Sequence, residues 1–292
     1  KVICVEPCKN VAKITQKLGY KTFTDFWDIN LAKKIKKLNK KGIDLIYSAN
    51  TLSHINNLDS VFKSICHVMD NKGILIIEDP SLLECLKNVS YDQFYNEHIY
   101  VFSLISINEV TKKYGLEVFD IEKLETHGGS LRYYIKRKSN KKFKISNRVK
   151  DYFQEELKFK LNKYSTFVNF RKKVEKSKKN LKKIFYHIKK NGKKIIGYGA
   201  TAKASTVLNY CNINDETIDY FLDTTPDKVK KFMPGTHIFI KPYDKKNLNS
   251  ADYVFLGAWN FKKEIFKKEK KFLKKGGQFI THITKPHVIK KF

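Results

Sequence analysis

Apolar runs of strand length alternate with amphipathic stretches of helical length through the first 80 residues of the chain. The predicted strands are Val2–Val5, Lys21–Phe26, Ile43–Ser48 and Ile74–Ile77, and the predicted helices are Asn10–Leu18, Leu31–Leu38 and Leu58–Met69. A turn is predicted at residues 71–73, before the last of these strands. Strands separated by helices of this length favour a parallel, doubly wound sheet. The pattern therefore predicts an α/β fold.

The pattern changes after residue 100. Ser106 and Glu109 have the spacing of a capping box, which predicts a short helix that ends near Gly115. Two strand-like runs, Leu116–Leu124 and Ser130–Lys136, follow with no helix between them. We expect these two strands to form an antiparallel pair at one edge of the sheet.

A lysine-rich helical segment then divides the chain. Apolar residues between residues 147 and 191 recur every three or four positions, which indicates a packing stripe with lysines on the solvated face. Beyond it, strands are predicted at Lys194–Tyr198, Ile218–Asp223, Ala251–Leu256 and Gln278–Thr281, with a helix at Phe261–Leu273. We expect a Rossmann-like domain over residues 1–145, a helical connection over residues 146–192 and a smaller α/β domain over residues 193–292.

The net charge of +30 raises the question of nucleic-acid binding. All but four of the 59 basic residues are lysines, and they are spread along the whole chain. Proteins that read bases or clamp phosphates usually favour arginine, whose planar fork binds in a bidentate manner. The composition therefore disfavours nucleic acid as a partner, and an anionic small substrate fits the same charge.

Cysteine spacing, apolar runs and the start of the sequence limit the remaining classes of protein. None of the five cysteines forms a CxxC pair, so we expect no zinc site within this chain and a reduced, cytoplasmic environment. No apolar run has the roughly 20 residues that cross a bilayer. The sequence opens in a strand-like run without an initiator Met, which favours an N-terminally truncated chain.

The first candidate for chemistry is the segment Tyr91-Asp92-Gln93-Phe94-Tyr95-Asn96-Glu97-His98. It places two phenols, two carboxylates and an imidazole within eight residues, downstream of a predicted parallel strand. Histidine is suited to general-base work near neutral pH, and a neighbouring carboxylate can orient it. We predict His98 as a base, with a polar loop holding one satisfied histidine as the structural alternative.

Two acidic or basic residues lie where strands of the first domain end. Glu6 follows the first strand, and an acidic residue there commonly binds the hydroxyls of an adenosine ribose. A surface glutamate before a proline turn is the alternative. His54 follows the strand Ile43–Ser48, near the expected ligand crevice, and a loop histidine bonded to backbone is its alternative.

Two glycine-containing segments are candidates for substrate binding. Thr126-His127-Gly128-Gly129-Ser130-Leu131-Arg132 has paired glycines that let backbone approach a ligand, although a tight turn between strands fits equally well. Gly197-Tyr198-Gly199-Ala200-Thr201-Ala202-Lys203 lies between a strand and a helix, where backbone N–H groups and Lys203 could hold a phosphate. Asp223, at the end of the next strand, could bind a ribose. The segment lacks the third glycine of a dinucleotide fingerprint.

These three segments, in this order, resemble one family: the S-adenosylmethionine-dependent C-methyltransferases that act on nucleotide-linked keto-deoxysugars. That family usually has Tyr-His-Glu-His where this chain has Tyr95-Asn96-Glu97-His98. The resemblance continues through residues 223–228 and 234–238 and covers essentially the whole chain.

The resemblance implies an N-terminal zinc-binding module, a methyltransferase domain and a nucleotide-sugar-binding α/β domain. It implies that the zinc module, the first strand of the methyltransferase sheet and its glycine loop lie upstream of residue 1. His98 would remove the proton next to the keto group, and Tyr95, Glu97 or His54 would stabilise the enolate or orient the base.

The same resemblance assigns the binding residues. S-Adenosylmethionine would contact Glu6 and Asn50. The nucleotide sugar would contact the two glycine segments, through the residues His127, Gly128, Gly129, Arg132, Gly197, Tyr198, Gly199, Lys203 and Asp223.

Two other classes stay open at this point. The α/β domain at residues 193–292 could bind a nicotinamide cofactor in an NAD(P)-dependent oxidoreductase or another sugar-nucleotide-modifying enzyme. The basic composition could serve a nucleic-acid-binding protein. The sequence does not indicate the sugar, the nucleotide, the methylated carbon or the oligomeric state.

Overall fold

The computed structural model describes residues 1–289 and has the expected α/β architecture. Its strands are β1 (Ile3–Val5), β2 (Lys21–Phe23), β3 (Ile43–Ala49), β4 (Met69–Pro80), β5 (Leu116–Leu124), β6 (Ser130–Arg137), β7 (Ile195–Tyr198), β8 (Phe221–Asp223), β9 (Ile240–Pro242), β10 (Tyr253–Leu256), β11 (Gln278–Thr281) and β12 (His287–Ile289). Its α-helices are α1 (Lys9–Lys17), α2 (Ile29–Leu38), α3 (Leu58–Val68), α4 (Leu82–Lys87), α5 (Leu104–Lys113), α6 (Asn147–Lys158), α7 (Tyr164–Lys190), α8 (Ala202–Cys211), α9 (Lys245–Asn249), α10 (Lys262–Lys268) and α11 (Lys270–Lys274).

The chain forms two compact units whose boundaries differ from the expected ones. Unit 1 comprises residues 1–79, 102–124 and 130–156, and unit 2 comprises residues 80–101, 125–129 and the chain from residue 157 onward. Residues 80–101 belong to unit 2 because Tyr91 lies in an apolar core with residues of α7 and α8. The segment predicted to carry the base is therefore part of the unit built around the C-terminal sheet, and that unit is the larger one.

Unit 1 contains two sheets where the alternating pattern predicts one. Strands β3, β4, β6 and β5 lie side by side in that order, with β3 and β4 parallel and β5 and β6 antiparallel. The predicted antiparallel edge pair is thus confirmed. Strands β1 and β2 pair in parallel with each other only, and an apolar cluster built from α2, Val68 and β3 packs against them.

Strand β3 is the end strand of its sheet and is less buried than its sequence predicts. Leu45 is 56% exposed and Tyr47 is 58% exposed. The predicted turn at residues 71–73 coincides with an irregularity inside β4, because Ile43 pairs with Met69 and Leu45 pairs with Ile74. Gly73 is needed inside this strand, since a Cβ there would come within 2.7 Å of the Ile43 carbonyl oxygen.

The capping box of α5 lies three residues before the predicted one. Ser103 is the N-cap, and its hydroxyl accepts from the Ser106 N–H at 3.1 Å while the Ser106 hydroxyl accepts from the Ser103 N–H at 2.9 Å. The prediction was wrong because serine as well as glutamate can close the box. The buried Glu156 carboxyl accepts from the next two backbone N–H groups, of Leu104 and Ile105, each at 2.8 Å.

Unit 2 is built on a six-stranded sheet in the order β12, β11, β10, β7, β8, β9. All neighbours are parallel except β12, which runs antiparallel to β11. The long helix α7 packs its predicted stripe into the core of this unit through Val174, Leu181 and Ile188. It is therefore a core element of unit 2 rather than only a connection.

The single helix predicted at Phe261–Leu273 is two helices. The helices α10 and α11 meet at Glu269, which is buried and has φ −100° and ψ 23°. The Glu269 carboxylate accepts from the hydroxyls of Tyr198 at 2.9 Å and Tyr243 at 2.7 Å. The helix is interrupted at Glu269, whose carboxylate points into the protein. In the part of the chain that the structure describes, no helix combines the length and apolarity needed to cross a bilayer.

Replacing Ser103 by alanine should lower the free energy of unfolding by about 1 kcal/mol, because it removes the N-cap of α5. Chemical denaturation followed by circular dichroism measures the change. Glu109→Ala is the matched control, since this exposed residue has no part in the observed cap. Equal losses in the two variants would contradict the cap assignment.

Candidate active site

The two units divide the predicted site residues between them. Unit 1 contains Glu6, Asn50, His54 and Arg132. Unit 2 contains the remaining ones: Tyr95, Glu97, His98, His127, Gly128, Gly129, Gly197, Tyr198, Gly199, Lys203 and Asp223.

In unit 2, Tyr95 and His98 form a hydrogen-bonded pair. The His98 N–H donates to the Tyr95 carbonyl oxygen at 2.9 Å, and this turn brings the two side chains to the same side. The Tyr95 hydroxyl lies 2.8 Å from His98 Nε2, with the ring centroids 4.0 Å apart. His98 Nδ1 lies 2.7 Å from the carbonyl oxygen of Gln93. Both nitrogens of the imidazole are therefore engaged by named partners.

These contacts assign the tautomer of His98. A carbonyl oxygen can only accept, so Nδ1 carries the proton that it donates to Gln93. In the neutral imidazole, Nε2 then has the lone pair and accepts from the Tyr95 hydroxyl. Burial, followed by the charges of Glu97 and Asp92, raises the pKa of Tyr95 to about 12, which keeps this phenol protonated near neutral pH. Nε2 is thus the basic nitrogen.

The acceptor for the Nδ1–H of His98 is a backbone carbonyl, that of Gln93. Glu97 is exposed, and its carbonyl oxygen accepts from the Ile99 N–H at 3.2 Å. The Gln93 carbonyl belongs to a one-turn 3₁₀ helix, Tyr91–Gln93, whose three residues are all buried. The position of the base therefore depends on how this turn is held.

Two side chains hold the 3₁₀ turn. The Gln93 amide donates to the His127 carbonyl oxygen at 2.5 Å. The Asp92 carboxyl is fully buried, accepts from the Trp259 indole N–H at 2.5 Å and lies 3.4 Å from His282 Nε2. The sequence reasoning missed Gln93 and Asp92 as anchors, and it missed Trp259 and His282 entirely. The signal was available, since Trp259 and His282 follow the strands β10 and β11 closely.

The paired glycines are required by packing within unit 2. Gly128 and Gly129 have φ values of +84° and +127°. A Cβ on Gly128 would lie 2.0 Å from the ring of Trp259, and one on Gly129 would lie 2.7 Å from the Glu84 side chain. The close neighbours are therefore side chains of the protein, and a role of these glycines in binding substrate stays a prediction.

The segment after β7 also packs closely against other residues of unit 2. Gly199 has φ +83°, and a Cβ there would lie 2.5 Å from the Ala258 Cβ. The Asp223 carboxylate accepts from the N–H groups of Ala200 at 2.7 Å and Thr225 at 2.8 Å. A Cβ on Gly197 would meet the Phe221 ring at 2.3 Å. Asp223 thus already orders the turn that was expected to surround a nucleotide.

The polar ends of Tyr198 and Lys203 in this segment point into the protein. The Tyr198 hydroxyl donates to Glu269. Lys203 is only 6% exposed, and its ammonium lies 3.5 Å from the His127 carbonyl oxygen and 5.4 Å from the centroid of the Trp259 ring. Burial lowers the pKa of Lys203, and the neighbouring Asp92 opposes that shift.

In unit 1, two predicted cofactor residues lie at strand ends. Glu6 directly follows β1 and accepts from the Cys8 N–H at 2.8 Å. Asn50 follows β3 with φ 50°, and its N–H donates to the Glu78 carbonyl oxygen at 2.7 Å. Its side-chain Oδ1 is buried without a hydrogen bond among the described residues. An unpaired buried acceptor is costly, and a ligand donor would satisfy it, so Asn50 fits a cofactor contact.

Asp79, at the end of β4, is a further unsatisfied group in unit 1. It is fully buried, and neither of its carboxyl oxygens nor Ser53 Oγ makes a hydrogen bond of ordinary geometry within residues 1–289. Burial raises the pKa of Asp79 to about 6, opposed by the nearby Ser53 and by the charge of His54. His54 itself is exposed. Asp79 and Ser53 were not among the predicted site residues.

Arg132 lies between two carboxylates of unit 1. Its guanidinium donates to Glu78 at 2.9 and 3.1 Å and to Glu122 at 2.8 Å. This bridge links β4, β5 and β6. Within the described residues, no group of three or more His, Cys, Asp and Glu side chains could hold a metal ion.

Comparison with known families assigns both halves of the chain. Residues 125–284 match the family described as C-methyltransferase C-terminal domain, and residues 1–121 match a methyltransferase domain. A similar curated protein is the C-methyltransferase NovU of Streptomyces niveus. It is 29% identical over 290 residues, which are 99% of this chain and 68% of that protein.

Solved structures overlap only partly. A magnesium protoporphyrin IX methyltransferase of Synechocystis PCC 6803 with bound SAM has 13% identity and a TM-score of 0.31, over 47% of this chain and 59% of that chain. A SAM-dependent methyltransferase of Thermotoga maritima has 18% identity and a TM-score of 0.34, over 45% and 71%. Overlaps this low support no inference about this chain.

Gly128→Ala should destabilise the protein by about 2 to 4 kcal/mol, since it combines a positive φ with overlap against the Trp259 ring. Gly192→Ala is the matched control in the same unit. Gly192 has φ +67° and open space around its Cβ position, so only the backbone strain of about 1 kcal/mol applies. Denaturation of both variants measures the difference, and an equal loss would contradict the packing role.

Asp79→Asn should flatten the pH dependence of stability between about pH 4 and pH 6. The folded-state pKa is raised from 3.8 to about 6, so the carboxyl contributes fully below pH 3.8 and its contribution is lost as the pH rises through 6. The shift corresponds to up to about 3 kcal/mol. Urea denaturation at several pH values tests this, with the exposed Asp44→Asn as control. An unchanged pH slope in the Asp79 variant would rule out the buried carboxyl as its source.

Proposed function

Because the chain belongs to the family of S-adenosylmethionine-dependent C-methyltransferases, we propose that it methylates the carbon next to the keto group of a nucleotide-linked deoxysugar. The observation that supports this most strongly is the Tyr95–His98 pair with its assigned tautomer. Methylation of carbon needs a base that removes a proton next to a carbonyl group. Family membership also removes the reason to consider an oxidoreductase.

His98 is the proposed base. Its Nδ1–H is held by the Gln93 carbonyl, so Nε2 faces outward from the turn toward Tyr95. Proton transfer from the α-carbon to Nε2 gives an imidazolium that keeps the Gln93 hydrogen bond and an enolate on the sugar. S-Adenosylmethionine, when bound, would supply the electrophilic methyl group that the enolate carbon needs.

Tyr95 is the proposed hydrogen-bond donor that stabilises the enolate. Its phenol stays protonated because its pKa is raised to about 12, so it can donate a hydrogen bond to the developing enolate oxygen. In the observed arrangement it donates to Nε2 at 2.8 Å. If the Tyr95 hydroxyl rotated from Nε2 to the keto oxygen, Nε2 would be free to accept the proton. The same rotation would let the hydroxyl stabilise the enolate.

The remaining roles follow the family assignment. Glu6 would accept from the ribose hydroxyls of the methyl donor, and the unpaired Oδ1 of Asn50 would accept a donor from the same molecule. His54, whose charge affects Asp79 in unit 1, would stabilise the enolate or orient the base. The nucleotide part of the substrate would contact the segments around His127 and Gly199. Glu97 would stabilise the enolate or orient the base, and Arg132 would contact the substrate.

His98→Gln should lower the rate of methyl transfer by a factor of about 10² to 10⁴, because glutamine keeps a donor to Gln93 but has no basic nitrogen. Transfer of a radiolabelled methyl group to a nucleotide-linked keto-deoxysugar measures the rate. Calorimetry should find unchanged binding of S-adenosylmethionine. Tyr95→Phe should lower the rate less than His98→Gln does. Turnover retained in His98→Gln would contradict the assignment of His98 as the base.

A further inference from the structure

A buried polar cluster lies next to the turn that carries the base. We name the side chains of Asp92, Lys203, Trp259 and His282 the Asp92 cluster; they are 0%, 6%, 7% and 1% exposed. All four belong to unit 2 but come from four separate places in the sequence. The mechanism above uses none of them. Four polar groups this deep in one place need a physical reason.

The cluster satisfies one oxygen of a buried carboxyl group, while Asp92 Oδ1 and both ring nitrogens of His282 make no hydrogen bond within the described residues. Asp92 Oδ2 accepts from the Trp259 indole at 2.5 Å and has His282 Nε2 at 3.4 Å. The charge of Asp92 also favours the ammonium form of Lys203 against its burial. Buried charges persist only when they are paired and hydrogen-bonded, so loss of one partner leaves the others uncompensated.

Aromatic rings fix the geometry around the carboxyl. The His282 ring packs edge-on against Trp259 with the planes 89° apart and centroids at 6.4 Å, and against Tyr91 at 5.6 Å. Trp259 in turn fills the space opposite Gly128. These contacts pack the rings against one another, and the indole N–H donates to Asp92.

The cluster connects to the base through two successive residues. Asp92 and Gln93 are neighbours in the 3₁₀ turn, and the Gln93 carbonyl accepts from His98 Nδ1. The His127 carbonyl receives the Gln93 amide at 2.5 Å and lies 3.5 Å from Lys203 Nζ. Movement of Asp92 would therefore move the carbonyl group that fixes the tautomer of His98.

We propose that the Asp92 cluster is a positioning device for the imidazole of His98, and that Trp259 is its central residue. Lys203 then serves this cluster through its ammonium, which lies near the His127 carbonyl oxygen and the Trp259 ring. The inference rests on the proposed function only in taking His98 as the base.

The test is the tautomer of His98, read by nitrogen NMR of protein labelled with ¹⁵N-histidine. The wild-type protein should give one protonated and one unprotonated ring nitrogen for His98, assigned by comparison with His98→Gln. Trp259→Phe keeps an aromatic ring but removes the N–H to Asp92, so the two signals should move toward a common average as the tautomers mix.

The chain offers a matched control in its other tryptophan. Trp27 in unit 1 also donates its indole N–H, to the Val61 carbonyl oxygen at 3.3 Å. Trp27→Phe should leave the His98 signals unchanged. Asp92→Asn, which keeps an acceptor for Trp259 but loses the charge, gives a second variant if Trp259→Phe does not fold.

Measuring kcat for methyl transfer distinguishes this inference from the proposed function. Trp259→Phe should lower kcat about 10- to 100-fold without weakening the binding of S-adenosylmethionine, since a base misplaced by about 1 Å loses that much. Mixed tautomers with unchanged kcat would support positioning but refute His98 as the base. A single wild-type tautomer in Trp259→Phe, or equal disturbance by Trp27→Phe, would overturn the positioning role.

Discussion

The hydrogen bond from Nδ1 of His98 to the carbonyl oxygen of Gln93 decides which nitrogen of the imidazole is basic. Without it, the two tautomers would share the ring, and Nε2 would hold its lone pair for only part of the time. A backbone carbonyl is a reliable acceptor because it cannot ionise or rotate independently of the chain. Its cost is that the whole turn Tyr91–Gln93 must stay in place.

That requirement explains why the base belongs to the C-terminal unit. A short 3₁₀ turn has few hydrogen bonds of its own and depends on its surroundings. Here the surroundings are Tyr91 in the core with α7 and α8, Gln93 on His127, and Asp92 on Trp259. Both units also contain buried polar atoms without a hydrogen bond among the described residues, on Asn50, Ser53 and Asp79 in unit 1 and on Asp92, Gln93 and His282 in unit 2. Such groups reduce stability, and sites for ligands are where proteins retain them.

Much of the fold follows from periodicity, and the failures have local physical causes. The edge pair β5 and β6, the helix α3 and the stripe of α7 were predicted because one face of each is apolar over several turns or residues. The helix break at Glu269 was missed because it depends on hydroxyls of Tyr198 and Tyr243, which are distant in sequence. The separate pairing of β1 and β2 was likewise invisible, since an alternating pattern does not state which strands are neighbours.

The site was predictable to a similar extent. A local concentration of titratable residues drew attention to Tyr95 and His98, and the structure brings their side chains together. The close packing of Gly128 against Trp259 could not be read from the paired glycines, because the same sequence suits a ligand or a ring. Asp79 lies at the end of β4, and Trp259 and His282 follow β10 and β11 within a few residues, so searching every strand end for polar or aromatic residues would have found them.

The central claim is that His98 Nε2 removes the proton next to the keto group, and proton exchange isolates that step from methyl transfer. A nucleotide-linked keto-deoxysugar incubated with the protein in D₂O, without the methyl donor, can be followed by proton NMR. The wild-type protein should replace the α-proton by deuterium much faster than the uncatalysed reaction, and His98→Gln should exchange it at the uncatalysed rate. Wild-type exchange in the His98→Gln variant would contradict the account.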